Sequence, residues 1–127
     1  MKPVEELQLA YDDPLGVTAA FNRNLLVRVN RELGADFDVA AFEHRAIWNA
    51  IESRVEMHLV STRSQQVHIE ASRLDLTFNA GEPIWTESSY KYQATEIVAT
   101  LRRAGFREVN QWVDESDGFA LTLVEAV

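Results

Sequence analysis

The chain has 127 residues, 46% hydrophobic and 25% charged, with no cysteine and a formal net charge of −8. These values fit a single globular domain over residues 1–127 and exclude a disulfide framework or a thiolate metal site. The acidic balance repels phosphate backbones, no apolar run approaches the about 20 residues of a membrane span, and Met1 to Leu9 carries two glutamates where a signal peptide is apolar. The expectation is a cytoplasmic protein with no nucleic-acid or membrane partner.

Val4 to Ala10 is short and helical in character. Asp13-Pro14 then reads as an N-cap followed by proline at the first helical position. Val17, Phe21, Leu25, Val29 and Leu33 recur every fourth residue, which predicts a helix over Pro14 to Leu33 with this apolar stripe facing a core. Gly34 suits a left-handed C-cap. From Phe42 to Tyr92 the period changes to two: Val55, Met57 and Leu59 alternate with Glu56 and His58, as do Val67 and Ile69, then Leu74, Leu76 and Phe78, with polar neighbours. Turn-like residues at 49–53, 62–65 and 79–83 separate these runs, so an antiparallel meander buried on one face is expected. Ala94, Ile97, Val98, Leu101 and Ala104 restore the helical period, and Gly105 ends it. Phe106 to Trp112 and Phe119 to Val124 form a terminal hairpin joined through residues 114–118. The fold class is therefore α+β: a long N-terminal helix on an antiparallel sheet, then a second helix and a C-terminal β-hairpin.

A nucleotide-type cofactor needs a glycine-rich strand-to-helix turn. The glycines at 16, 34, 81, 105 and 118 are isolated from one another, so no cofactor site is expected in this chain. His44, His58 and His68 are too scattered for a helical ligand pair, and no metal site is expected. Glu87 and Ser89 lie on one face of a strand together with Trp85 and Lys91, by period two. A carboxylate beside a hydroxyl can accept hydrogen bonds from a ring N–H and an ammonium group. Spacing alone favours a solvent-facing strand edge with Trp85 as its one apolar contact. By itself Tyr11 is an aromatic ahead of a helix cap, and Met57 is a core residue. Asn22, Asn24 and Asn30 cost helix propensity, and holding a neighbouring loop explains them better than catalysis.

Tyr11-Asp-Asp-Pro-Leu-Gly-Val-Thr-Ala-Ala-Phe-Asn-Arg-Asn24, Arg31-Glu-Leu-Gly-Ala-Asp-Phe37 and Thr86-Glu-Ser-Ser-Tyr-Lys-Tyr92 resemble the substrate-side portion of the histidine-specific, S-adenosylmethionine-dependent methyltransferases. That family methylates the α-amine of histidine on the way to ergothioneine. The resemblance implies that Glu87 and Ser89, as the Glu-x-Ser element, grip the imidazole ring of histidine. It implies that Tyr11 holds the substrate carboxylate, and that Met57, within Val55-Glu56-Met57-His58-Leu59, lines the imidazole pocket. It also implies that the S-adenosylmethionine-binding Rossmann-like half of the family lies outside this chain, which is then inactive alone. Leu101-Arg-Arg-Ala-Gly-Phe106 and the strands after it resemble the hairpin that completes that half. A homodimer through this hairpin is expected, and a methyl-donor domain could be supplied in trans. The competing class is a non-catalytic module that binds an amino acid or another protein chain.

Overall fold

The structure is a computed structural model describing residues 2–114, 116 and 118–127. Its elements, in order, are α1 (Val4–Tyr11), α2 (Val17–Leu33), β1 (Phe42–Asn49), β2 (Arg54–Ser61), β3 (Gln65–Ile69), β4 (Leu74–Phe78), β5 (Pro83–Tyr90), α3 (Ala94–Arg103), β6 (Phe106–Asp114) and β7 (Phe119–Ala126). The α+β class holds, with every strand pairing antiparallel and a C-terminal β6–β7 hairpin. The expected connection at 114–118 includes Glu115 and Asp117, which lie outside the described residues.

The strands form three small sheets, β1-β2-β5, β3-β4 and β6-β7, and not one meander. β5 runs back past the β3–β4 hairpin to pair with β2. Alternation reports which face of a strand is buried, but it carries no information on which strand becomes the neighbour.

Two expectations about the long helix change. It begins at Val17, and Gly16 occupies its N-cap with φ of 72°. Pro14 belongs to the preceding turn, closed by Gly16 N–H donating to the Asp13 carbonyl at 2.9 Å. Asp13 still supplies the cap, from one turn back: its carboxylate accepts from the backbone N–H of Val17 at 3.0 Å and of Thr18 at 2.8 Å. Those two bonds hold its carboxyl at about 2, below the ordinary carboxylate range.

The apolar stripe also faces the wrong way. Val17 (66%), Phe21 (68%), Leu25 (43%) and Leu33 (45%) are exposed, while the buried residues of α2 are Asn22 and Leu26. A strict four-residue spacing turns about 400° per step, so the stripe winds around the helix by about 40° each time. It meets the core only at Val29.

The core gathers Leu26, Phe37, Phe42, Leu59, Val67 and Phe78. Phe37, Phe42 and Phe78 form a ring triad with centroids 5.5 to 6.1 Å apart, and Phe42 meets each of the others edge-on. Asn30 places Phe37 in this triad by donating to its carbonyl at 2.8 Å and accepting from its N–H at 2.9 Å. This is the loop-holding role that the helical asparagines suggested. Gly34 is fixed by two constraints at once. Its φ is 64°, and a Cβ there would come within 3.1 Å of the Glu70 side chain. That close approach lets the segment after α2 bond to the end of β3, through Glu70 N–H to Gly34 carbonyl at 3.3 Å and His68 N–H to the Asp36 carboxylate at 2.7 Å.

Phe42 is fully buried at the centre of the triad. Phe42→Ala is expected to destabilise the chain by about 3–5 kcal/mol, read from the urea midpoint with the denaturant slope unchanged.

Candidate functional site

The register of the three-stranded sheet builds the site. In β1–β2, His44 pairs with Leu59 and Ala46 with Met57. In β2–β5, Met57 pairs with Glu87 and Val55 with Ser89. Directly paired residues share a face, so His44, Met57, Glu87 and Ser89 all point to one side. There the Tyr11 hydroxyl meets that of Ser89 and the Asn22 amide meets the His44 ring.

A β-bulge between Met57/His58 and Glu87/Trp85 leaves Thr86 without a ladder partner. Its hydroxyl is occupied instead, donating to the Met57 carbonyl at 2.9 Å. The bulge overturns one expectation: Trp85 does not share a face with Glu87 and Ser89. It pairs with His58 on the far side, stacks on that ring at 6.0 Å, and lies beneath the Arg54 guanidinium at 4.5 Å. Period two fails there because one extra residue resets the alternation. On that far face Arg54 pairs with Glu56 at 2.8 Å and His58 lies 3.3 Å from the same carboxylate. Hydrogen bonds from Asn49 and Arg54 hold the Glu56 carboxyl below its ordinary range against the opposing effect of burial. The Nδ1 atom of His58 is buried and has no hydrogen-bond partner among the described residues.

Tyr11 is the last residue of α1 and is half-buried. Its hydroxyl lies 2.6 Å from Ser89 Oγ, so these two candidates are in direct contact across 78 residues of sequence. Lys91 joins them, donating to Tyr11 Oη at 2.6 Å and to Ser89 Oγ at 2.9 Å. Burial pushes the Tyr11 phenol up, but the hydrogen bonds with Lys91 and Ser89 and the lysine charge outweigh it, so the net shift is downward. A ring N–H that reaches Ser89 must displace or share the Tyr11 contact.

Met57 is buried beneath the site, 3% exposed, which agrees with its reading as a core residue and leaves it next to Glu87. Glu87 is exposed, and among the described residues its carboxylate forms no salt bridge or side-chain hydrogen bond. It borders a cleft of about 190 Å³ with Phe21, Asn24, Leu25 and Arg28 of α2. Tyr11 and Lys91 border a second cleft of about 590 Å³, walled by α1, the 90–94 segment and the hairpin. The candidate residues therefore fall into two adjoining groups, Glu87 with Met57 and Tyr11 with Ser89, on one face of the sheet.

Sequence reasoning did not pick out what positions Tyr11. Asn22 is 3% exposed in the middle of α2. Its amide donates to His44 Nδ1 at 2.9 Å and to the His58 carbonyl at 3.2 Å. With Nδ1 accepting, Nε2 carries the hydrogen and donates to the Tyr11 carbonyl at 2.7 Å. The end of α1 is thus tied to α2 and β1 through one imidazole. The available signal was a polar, poorly helix-forming residue inside a strongly helical stretch.

The sequence profile described as histidine-specific methyltransferase, SAM-dependent, matches residues 1–126. The chain belongs to this family. It is 49% identical over 123 residues to the histidine N-alpha-methyltransferase of Mycolicibacterium smegmatis, covering 97% of this chain and 38% of that protein. The histidine N-alpha-methyltransferase of Mycobacterium tuberculosis is 47% identical with the same coverage. The ergothioneine biosynthesis protein 1 of Schizosaccharomyces pombe is 26% identical over 110 residues, 85% of this chain and 14% of that protein. The chain thus spans under two-fifths of the length of the two bacterial relatives.

The methyl donor of the family does not fit the described residues. All the pairings are antiparallel, so there is no βαβ crevice at the carboxyl ends of parallel strands, and Gly16 and Gly34 serve as helix caps. Among the described residues no helix is long and apolar enough to cross a membrane, and no group of three His, Asp or Glu side chains could hold a metal ion.

Asn22→Ala removes the donor from both the His44 ring and the His58 carbonyl. The expected cost is about 1–3 kcal/mol by urea unfolding, with the Tyr11 ring resonances shifting in the folded state.

Proposed function

We propose that this chain is the substrate-recognition portion of a histidine Nα-methyltransferase, with Tyr11, Met57, Glu87 and Ser89 as its contribution to the amino-acid site. The observation that carries this reading is the convergence of all four on one face of the β1-β2-β5 sheet, with the Glu87 carboxylate unpaired among the described residues. An exposed glutamate without an internal partner is ready to accept a ring N–H, and charge assistance makes that bond strong. Met57 supplies a polarizable floor. Tyr11 and Ser89 supply hydroxyls that can accept or donate. The chemistry available to these groups is binding and orientation, which removes the entropic part of the barrier to a transfer between two molecules. The methyl donor is held by protein outside this sequence. A cytoplasmic setting suits a small-molecule biosynthetic role of this kind.

Glu87→Ala is expected to weaken histidine binding by about one to two decades, the effect of removing a charged hydrogen-bond partner. Titration calorimetry measures it, and equal affinities in wild type and variant would show that Glu87 does not grip the ring.

The same reading accounts for the hairpin. One face of β6–β7 packs on α3, where the Gln111 amide donates to the Ala94 carbonyl at 3.1 Å. The other face leaves Trp112 (50%), Phe119 (62%), Leu121 (56%) and Leu123 (49%) exposed. Each exposed side chain of this size forgoes about 1.5–3 kcal/mol of burial. The portion of the enzyme that holds the methyl donor, joined or supplied in trans, is the proposed cover. In its absence two copies of the chain close the face on themselves as a twofold homodimer. Sedimentation at tens of micromolar is expected to show a dimer that reverts to monomer in a Trp112→Lys/Leu121→Lys variant. A wild-type monomer would exclude pairing through this face.

A further inference from the structure

We infer that Lys91 is a specificity-determining residue of the amino-acid site, recognising the carboxylate of a ligand whose basic side chain is held by Glu87. This rests on the reading of Glu87 given above. The chain carries 20 acidic residues against 12 basic ones, and a partly buried lysine in such a protein ordinarily finds a carboxylate. Lys91 does not: among the described residues its ammonium contacts the hydroxyls of Tyr11 and Ser89, lies 4.6 Å from the centroid of the Tyr11 ring, and enters no salt bridge. An ammonium group has three N–H donors. Two are spent on neutral oxygens, and the Tyr11 ring face answers part of the charge, but no carboxylate among the described residues neutralises it. A desolvated charge without a counterion is costly, and an anion supplied by a ligand removes that cost.

The position fits an amino acid. Lys91 folds back over Ser89, with Nζ 2.9 Å from Ser89 Oγ. Glu87 is two residues from Ser89 on the same face, which is about 7 Å along a strand. With the Lys91 ammonium held at Ser89 and Glu87 one strand repeat away on the same face, a carboxylate and an ammonium flank one stretch of the sheet, an arrangement that suits the two ends of a histidine, ring and carboxylate. The pair selects a molecule with a basic group at one end and an anion at the other, and discriminates against an amine of the same shape without the anion. Tyr11 completes the anion side, since its hydroxyl touches the ammonium and the 590 Å³ cleft borders both residues.

The test titrates the chain with histidine, histamine, which lacks the carboxylate, and acetate, for wild type, Lys91→Met, Lys91→Arg and Glu87→Gln. Affinity is read by calorimetry, and the Lys91 ammonium and Tyr11 ring signals by NMR. The expected result is a preference for histidine over histamine of about 10- to 100-fold. Lys91→Met should abolish that preference by weakening histidine alone, and Lys91→Arg should restore part of it. Acetate should shift the Lys91 and Tyr11 signals in wild type and in Glu87→Gln. If histamine binding depends on Glu87 while Lys91→Met weakens histidine and histamine equally, or neither, Lys91 is not the anion site and the Glu87 reading stands. If acetate and histidine move the Lys91 signal but Glu87→Gln changes nothing, the Glu87 reading fails and the anion site stands. Silence of the Lys91 signal toward every probe overturns the inference.

Discussion

The unpaired Thr86 in the β2–β5 ladder decides what the site can be. Were Thr86 paired in a regular ladder, Trp85 would project with Glu87 and Ser89, and an indole would occupy the face where the two hydroxyls and Lys91 now meet. With it, the indole rotates to the far side, where it lies against His58 and Arg54. The bulge costs one ladder bond and is stabilised locally: the Thr86 hydroxyl takes the Met57 carbonyl, and the Trp85 indole N–H donates to the Glu87 carbonyl at 3.0 Å. Both bonds fall on backbone groups beside candidate residues, so the irregularity and the site share one set of supports.

The two ends of the proposed amino-acid site are held by different means. Glu87 sits on a regular strand whose neighbour Met57 is locked into the core. Tyr11 sits at the end of an eight-residue helix with no side-chain cap. A helix that short is marginal in isolation, so its position depends on the chain Asn22, His44, Tyr11 and on the Ser89–Lys91 pair. Glu87 is placed by the sheet, whereas Tyr11 is placed by polar bonds that each require a correct partner.

Much of this was legible in the residue pattern. Period two marked β2, β3 and β4, the Ala94–Leu101 periodicity marked α3, and Gly34 ended α2 with the left-handed geometry expected. The motif resemblance brought Tyr11 and Ser89 together before any distance was known. Three things were hidden. The return of β5 to β2 is a long-range pairing, which local alternation does not encode. The bulge is a one-residue insertion with no glycine to announce it. The burial of α2 was inverted because Leu26 and two hydrogen-bonded asparagines, not the regular stripe, fill the space against the sheet. Hydropathy periodicity assumes that the apolar side of a helix faces its own core, and Phe21, Leu25 and Leu33 do not.

That inverted helix changes how tolerance to substitution should be interpreted. Scored for folding of this chain alone, Phe21 and Leu25 are permissive positions and polar replacements there improve solubility, while Asn22 and Asn30 reject the leucine that a helix would otherwise welcome. Scored for the proposed binding role, the ranking of the apolar pair reverses, because both border the cleft beside Glu87. A solubility-guided redesign would therefore reshape that cleft without any loss in the melting curve.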